Sequence, residues 1–330
     1  MGTKTRSKNL RVKNNLMATK ILKSEFREDY VHDRAVIIAP KRSLRPHDIF
    51  THQDVPVSSK NCPFCNEPIV SKPGVYHIGT QKKWRVKVIQ NDFPVVTKKN
   101  AKVYGTQEVV LETPWHNKEL AEFSVDHIRV LFEVYAQRTT AISRDKKIKY
   151  MLIFKNNGGV AGQSLMHAHS QIFATSIVPP HIISKLSRAS EYETKHGNCY
   201  YCDLMREKRM VPRKIYSDKN MIAFTPYASL YNYEAWILPK RHIDNITQLT
   251  KEERISMAKA LKGLLLALNS MQLPYNFYMH QVLTNDDEHL YLRVAPRRDT
   301  WAGIELGSRL IINTISPEEA AKFYRKHILR

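Results

Sequence analysis

One unit is written twice along this chain. Each copy runs in the same order: a Cys-x-x-Cys pair, a strand entering a turn, a strand leading to His, an amphipathic helix, then strand–loop–strand with a further His. In the first copy these are Cys62-Pro63-Phe64-Cys65, strand 84–89 running into Gln90-Asn91-Asp92-Phe93-Pro94, strand 108–111 leading to His116, helix 125–144, and strands 149–154 and 172–178 around a loop that holds His167. The second copy has Cys199-Tyr200-Tyr201-Cys202, strand 221–224 running into Thr225-Pro226-Tyr227, strand 235–238 leading to His242, helix 251–271, and strands 275–282 and 289–294. The order of elements carries the repeat, since residue identity between the copies is low. Hairpin-like strand order with one helix per copy implies an α+β fold built on an antiparallel sheet.

The repeat divides the 330 residues into a basic arm at 1–24, a first repeat at 25–185 and a second at 186–330. Helical spacing of Ile128, Leu131, Phe132, Tyr135 and Ala136 supports the first helix, with His127 expected on its solvent face. Thr250 and Glu253 form a capping-box pattern at the start of the second. A tail strand at 308–313 and a short helix opened by Ser316-Pro317-Glu318-Glu319 close the chain.

Composition decides between partner classes. The formal charge is +21, a balance that can serve nucleic acid or phosphorylated small molecules. Basic residues are spread along the chain, and the densest block, 4–23, contains no acid and reads as a solvated arm. Nucleic-acid binding therefore has only the arm in its support, and a general Lys excess suits phosphorylated substrates. No apolar run is long enough for a membrane helix and no secretory signal opens the chain, so a cytoplasmic protein is expected.

The four cysteines fall in two pairs, which points to metal or redox chemistry and away from a disulfide framework. Neither pair opens a helix after a strand, which disfavours a redox role. The gaps between Cys and His exceed those of zinc fingers, so spacing alone does not assign the histidines. The repetition does: Cys62, Cys65, His116 and His167 form one set, and Cys199, Cys202, His242 and His289 the other. Cys₂His₂ is a closed tetrahedral set that suits structural Zn²⁺, with one site expected in the first repeat and a second in its copy.

The stretch Asn156-Asn157-Gly158-Gly159-Val160-Ala161-Gly162-Gln163-Ser164-Leu165-Met166-His167-Ala168-His169-Ser170-Gln171 brings two chemistries together. A loop of small residues can approach a phosphate, and histidines at i and i+2 point to the same side of an extended segment. One can hold a metal while the other faces a substrate.

From Phe26 to the C-terminus the chain resembles the galactose-1-phosphate uridylyltransferases, a branch of the histidine-triad superfamily that includes ADP-glucose phosphorylase-like proteins. The resemblance rests on Arg34-Ala35-Val36-Ile37-Ile38-Ala39-Pro40-Lys41-Arg42-Ser43-Leu44-Arg45-Pro46, Cys62-Pro63-Phe64-Cys65, residues 155–171, Pro239-Lys240-Arg241-His242 and Gly303-Ile304-Glu305-Leu306-Gly307. It implies two histidine-triad-like repeats forming one open antiparallel half-barrel sheet with flanking helices. It also implies that His169 is the nucleophile, that Gln171 hydrogen-bonds the transferred phosphoryl group, and that Asn157, Gly162 and Ser164 lie on the phosphate loop. Asn91 would fall on a nucleotide-contacting turn; Arg42, in the basic run after the strand that ends at Pro40, is either surface charge or reaches an anionic ligand, and Glu305 either orients a sugar or pairs with an Arg. Family members are commonly dimers, so a homodimer is a further implication.

Three departures qualify the resemblance. Ala168 stands where the family more often has Pro. Tyr291 takes the nucleophile position of the second repeat, which makes that half catalytically silent. Ile311 lies near the place of a Gln that contacts hexose hydroxyls in the best-known bacterial members. The implied reaction is transfer of UMP from UDP-glucose to galactose 1-phosphate or another hexose 1-phosphate through a nucleotidyl-histidine. The alternative is an ADP-sugar phosphorylase or adenylyltransferase with phosphate as acceptor. A third reading, a basic zinc-bearing nucleic-acid-binding protein with a vestigial triad, is opposed by the intact His167, His169 and Gln171.

Overall fold

The computed structural model describes residues 24–44, 59–66, 74–283 and 288–328. Residues 1–23 of the basic arm at 1–24, together with Arg45 and Pro46, lie outside the described residues. The chain begins with β1 (Glu25–Asp29) and β2 (Arg34–Ile38). Then follow β3 (Tyr76–Gly79), β4 (Trp84–Gln90), β5 (Gly105–Leu111), α1 (Val125–Ile142), β6 (Tyr150–Asn157) and β7 (His169–Thr175). Two helices come next, α2 (Pro180–His196) and α3 (Tyr200–Arg206). The second half continues with β8 (Lys214–Ser217), β9 (Met221–Phe224), β10 (Ala235–Pro239), α4 (Lys251–Asn269), β11 (Tyr275–Val282) and β12 (Leu292–Pro296). It ends with α5 (Gly303–Ser308), β13 (Ile311–Asn313) and α6 (Pro317–Ile328).

Ten strands form one open sheet in the order β3-β4-β5-β7-β6-β11-β12-β10-β9-β8. Every pairing in it is antiparallel. The order is a palindrome about the β6–β11 pair: β7 answers to β12, β5 to β10, β4 to β9 and β3 to β8. The repeat seen in the chain is thus an approximate two-fold of the sheet. A second sheet of three strands, β1-β2-β13, was not expected, and its β2–β13 pair is parallel.

Helices α1 and α4 pack against each other and cover one face of the large sheet. Their apolar stripes make one core with the sheet: Ile128, Leu131, Phe132 and Tyr135 from α1, Met257, Leu261, Leu264 and Leu268 from α4, and Ile153, Ile172, Phe277 and Val294 from the strands. Each such buried side chain is worth about 1.5–3 kcal/mol relative to exposure. The capping box of α4 is present, with Thr250 accepting from Glu253 N–H and Glu253 accepting from Thr250 N–H. His127 is a correction: it is buried, and its Nε2 donates to the Glu112 carbonyl at 2.7 Å. That bond overrides the helical periodicity.

Alternation along the central strands separates two faces. On β7, Ile172 and Ala174 join the helix-covered core and Ser170 meets Tyr135 Oη at 2.6 Å, while His169, Gln171 and Phe173 lie on the opposite face. On β12, Leu292 and Val294 face the core, and Arg293 lies opposite. Two strand edges differ from expectation. β7 opens at His169 and ends at Thr175, and β12 starts only at Leu292, so His289 and Tyr291 precede it. The tail strand is confined to Ile311–Asn313 because Ser308 ends α5.

Candidate active site

His169 is the first residue of β7 and is 6% exposed. Its Nδ1–H donates to the main-chain carbonyl of His167 at 2.8 Å. With one ring nitrogen so engaged, the Nε2 lone pair is the one left for chemistry. Burial, followed by the nearby Lys155 ammonium, lowers the His169 pKa to about 4, so the ring is a neutral base at neutral pH. Phe64, between the first two cysteines, packs edge-on to both His169 and His167 with ring centroids 5.4 and 5.9 Å apart.

Gln171 lies two residues along the same face. Its Oε1 accepts from Gln107 Nε2 at 2.7 Å and from Asn91 Nδ2 at 3.4 Å. Both contacts hold the amide oxygen, which leaves the NH₂ half as the donor for a ligand. Asn91 also accepts from Phe93 N–H at 2.8 Å, an Asx turn that fixes the 91–93 corner. Asn91, Gln107 and Gln171 therefore form one network beside His169. Gln107 was missed in the sequence because an interior strand glutamine carries no local signal.

The loop after β6 turns on two glycines. Gly158 has φ 87° and Gly162 φ 86°, values that a side chain strains to adopt. Gly158 N–H donates to Gln163 Oε1 at 2.6 Å, and Asn156 Nδ2 donates to the Gly162 carbonyl at 3.2 Å. Asn276 from the second half donates to Asn156 Oδ1 and to the Ala161 carbonyl, each at 2.8 Å. Asn157 ends β6, half-buried, and Ser164 is exposed on the far limb of the loop.

Beneath the site, on the helix-covered side, lies a buried charge cluster that sequence reading also missed. Lys155 Nζ reaches Glu112 at 2.9 Å and Glu119 at 3.1 Å. Burial pushes the Glu112 carboxyl up, partly offset by Lys155, while the two carboxylates raise the Lys155 pKa against its own burial.

Cys62, Cys65, His116 and His167 place one ligand atom each within 4.8 Å of one another, and so do Cys199, Cys202, His242 and His289. No cysteine is in a disulfide. His167 Nε2 donates to the Thr113 carbonyl at 2.7 Å, which turns Nδ1 toward Cys65 Sγ at 3.3 Å. His289 repeats this, with Nε2 on the Pro239 carbonyl at 2.8 Å and Nδ1 3.6 Å from Cys202 Sγ. Two sulfurs, two imidazole nitrogens and a carbonyl that sets each buried histidine's tautomer fit a tetrahedral, thiophilic dication such as Zn²⁺. Cys199 caps α3; the pair does open a helix, but one that follows α2 and not a strand.

Arg42 and Glu305 are not brought to this network by any contact among the described residues. Arg42 lies in a 3₁₀ turn after β2, and Glu305 lies on α5, which packs on β13. Both belong to the side of the small sheet. Glu305 accepts from Ala302 N–H at 2.9 Å, capping its own helix. Among the described residues no helix is long and apolar enough to cross a membrane.

Residues 76–179 match the family model described as galactose-1-phosphate uridyl transferase, N-terminal domain. ADP-glucose phosphorylase of Arabidopsis thaliana is 29% identical over 329 residues, covering 92% of each chain. Galactose-1-phosphate uridylyltransferase of Thermotoga maritima is 29% identical over 322 residues, covering 92% of this chain and 98% of that one. Among solved structures, an ADP-glucose phosphorylase from Arabidopsis thaliana with bound ADP-glucose superposes with a TM-score of 0.82 at 28% identity, covering 92% of this chain and 98% of that one. A uridylyltransferase structure gives 0.72 at 28% identity, covering 93% and 99%. Over nearly its whole length the chain is therefore similar to galactose-1-phosphate uridylyltransferase and to ADP-glucose phosphorylase, and the site on the first half of its sheet lies within the segment that matches the uridyl transferase N-terminal domain.

Proposed function

We propose that the protein transfers a nucleotidyl group from a nucleotide sugar to an acceptor phosphate in two displacements at phosphorus, with His169 as the covalent carrier. The observation that carries this reading is the bond from His169 Nδ1–H to the His167 carbonyl, which aims a neutral nitrogen lone pair outward beside Gln171. Two phosphate anions repel each other, so splitting the exchange through a neutral nucleophile lowers the barrier of each half.

In the first half, Nε2 of His169 attacks the α-phosphorus, and the bond from phosphorus to the bridging oxygen breaks. The sugar 1-phosphate leaves with that electron pair. In the second, an acceptor phosphate oxygen attacks the same phosphorus and His169 leaves as neutral imidazole. The Gln171 NH₂ group, oriented by Gln107 and Asn91, donates to a non-bridging oxygen as its charge grows. Asn157 and Ser164, on the loop that turns at Gly158 and Gly162, hold the neighbouring phosphate. The chemistry a dication supplies when held by Cys62, Cys65, His116 and His167 is structural: it ties the 62–65 turn to the backbone that orients His169. The second set is the corresponding tie for α3 and the segment before β12.

The donor we assign is UDP-glucose and the acceptor a hexose 1-phosphate, galactose 1-phosphate among them. A second reading, an ADP-sugar donor with phosphate as acceptor, is favoured by the likeness to the Arabidopsis ADP-glucose phosphorylase and by Ile311 near the family's hexose-contacting Gln. Incubation with UDP-glucose and ADP-glucose, each labelled in the α-phosphate, followed by denaturation, separates the two by which label stays on the protein. A metal-replete protein that retains neither label overturns both.

A further inference from the structure

The palindrome of the sheet sets up a comparison between its halves. In the first half Gln171 pairs with Phe154 across β7–β6, and in the second Arg293 pairs with Tyr278 across β12–β11. Arg293 therefore occupies the place of Gln171, Tyr291 that of His169, and His280 that of Asn156. The second half has lost the nucleophile. It has not become a plain surface, because a cleft of about 350 Å³ lies over these positions.

Among the described residues the cleft is lined by cations and by no carboxylate. Arg293 forms its floor, while Arg34 comes from β2 and Lys185 and His181 from the start of α2, residues that precede the second repeat along the chain. The acids that balance these cations sit behind the walls. Glu234 meets Arg293 Nε at 2.7 Å and Arg34 Nη1 at 3.6 Å, so one carboxylate serves two guanidiniums. Glu288 pairs with Lys185, and Asp29 is held by His32 at 2.8 Å. Arg293 is 4% exposed, and its Nη2 has no hydrogen-bond partner among the described residues. A buried guanidinium N–H without an acceptor is a costly arrangement unless something else supplies one.

Two further observations point to an anion. Helix α2, 17 residues long, starts at Pro180 beside the cleft, so its first turn adds partial positive charge. His280 and His181 are both held below the ordinary imidazole range, by burial first and then by surrounding cations, Lys185 and Arg34 in each case. The potential in the cleft is thus already positive with both rings neutral. His280 Nδ1 is engaged by Tyr150 Oη at 2.6 Å, and Tyr291 Oη lies 3.4 Å from Lys185 Nζ.

We propose that the second repeat has exchanged its catalytic centre for a binding site for a phosphate monoester, with Arg293, Arg34 and Lys185 as the anion-holding groups and Tyr291, His280 and His181 as its polar walls. The volume falls within the range of small-molecule clefts and accepts either free phosphate or a sugar phosphate, which share the recognised group. The proposal does not depend on the reaction assigned to His169.

The test uses the full-length, metal-loaded protein carrying ¹³C-labelled histidine, with inorganic phosphate, glucose 1-phosphate and ADP-glucose added separately. His280→Gln and His181→Glu identify the two ring signals. Saturable movement of both rings with inorganic phosphate or glucose 1-phosphate, retained in His169→Asn, is the expected result. His181→Glu places an anion at the mouth and weakens that binding by about tenfold while leaving nucleotidyl transfer unchanged. The proposal is overturned if neither inorganic phosphate nor glucose 1-phosphate moves the rings at millimolar concentration, if ADP-glucose alone does so, or if the movement disappears in His169→Asn. Undiminished binding in a folded His181→Glu protein overturns it too.

Discussion

Lys155 stands directly behind His169: its ammonium lies 3.3 Å from the His169 main-chain carbonyl and 2.9 Å from the Glu112 carboxylate, and both charged side chains are fully buried. The catalytic strand is thus anchored from the core side by an ion pair as well as by the sheet. Lys155→Met leaves Glu112 buried beside Glu119 without a cation. Removing one partner of such a pair costs about 3–5 kcal/mol. Urea denaturation of the variant should show that loss, and an unchanged midpoint would refute the anchoring role.

His169→Asn retains an amide nitrogen near the Nδ1 position, so the bond to the His167 carbonyl can persist while the nucleophilic Nε2 is gone. Transfer should fall by at least about 10⁴-fold, as it does when other nucleophiles are removed. Metal content, measured by atomic emission, should equal that of the parent. Protein-bound label surviving in this variant would show that another residue carries the nucleotide.

Gln171 and Gln107 separate donation from orientation. Gln171→Ala removes the donor and should lower kcat by about 10²–10³-fold with a small change in KM. Gln107→Leu leaves the donor but releases the 2.7 Å contact that orients it. Its loss in kcat should be smaller, and it should vanish when combined with Gln171→Ala. Additive losses in the double variant would mean that Gln107 acts by some other route.

Metal removal should act first on stability. An ion bound to the folded chain alone adds about 3 kcal/mol when present at some 100 times its dissociation constant. Chelation should therefore lower the thermal midpoint, and Cys62→Ser and Cys199→Ser should each lower the bound metal by the content of one site. Equal metal content in a Cys199→Ser protein would assign the second cluster a different role.

The pair Asp29 and His32 predicts an acid limb. His32 is held neutral in the fold, its pKa lowered to about 4 by burial even against the attraction of Asp29. Asp29 stays ionised below the ordinary carboxylate range, through His32 and Arg34 against its own burial. Both folded values lie below the unfolded ones, so the unfolded chain takes up more protons as pH falls. Stability is full above about pH 6.5 and declines toward pH 4, by roughly 2–4 kcal/mol for His32 alone. Urea midpoints measured across that window should fall with acidification, and His32→Phe should flatten the slope. A midpoint that rises on acidification would contradict the pair's assignment.

Local chemistry was legible before any coordinates. Thr250 and Glu253 cap α4, 221–224 and 275–282 are strands to the residue, and each Cys pair gathers with the two histidines that the repeat assigned to it. These features follow from periodicity, capping and duplicated order, which are properties of neighbouring residues. Helix α2 was not expected, because its pattern is masked by charged and polar side chains on most of its surface. The small sheet was not expected either, because β13 reaches β2 across nearly the whole chain.

The sequence by itself determined that a unit is duplicated, that each copy can hold a metal, and that only the first keeps a histidine at the position of His169. Tertiary structure alone decided what surrounds those positions. Gln107 meets Gln171 because β5 lies beside β7, Lys155 finds Glu112 beneath the sheet, and Arg34, Lys185 and Arg293 converge over Tyr291 from three separate elements. None of these groups is near its partner along the chain. Sheet pairing and helix packing set their distances, and it is at those distances that burial turns an ordinary amide or cation into a site.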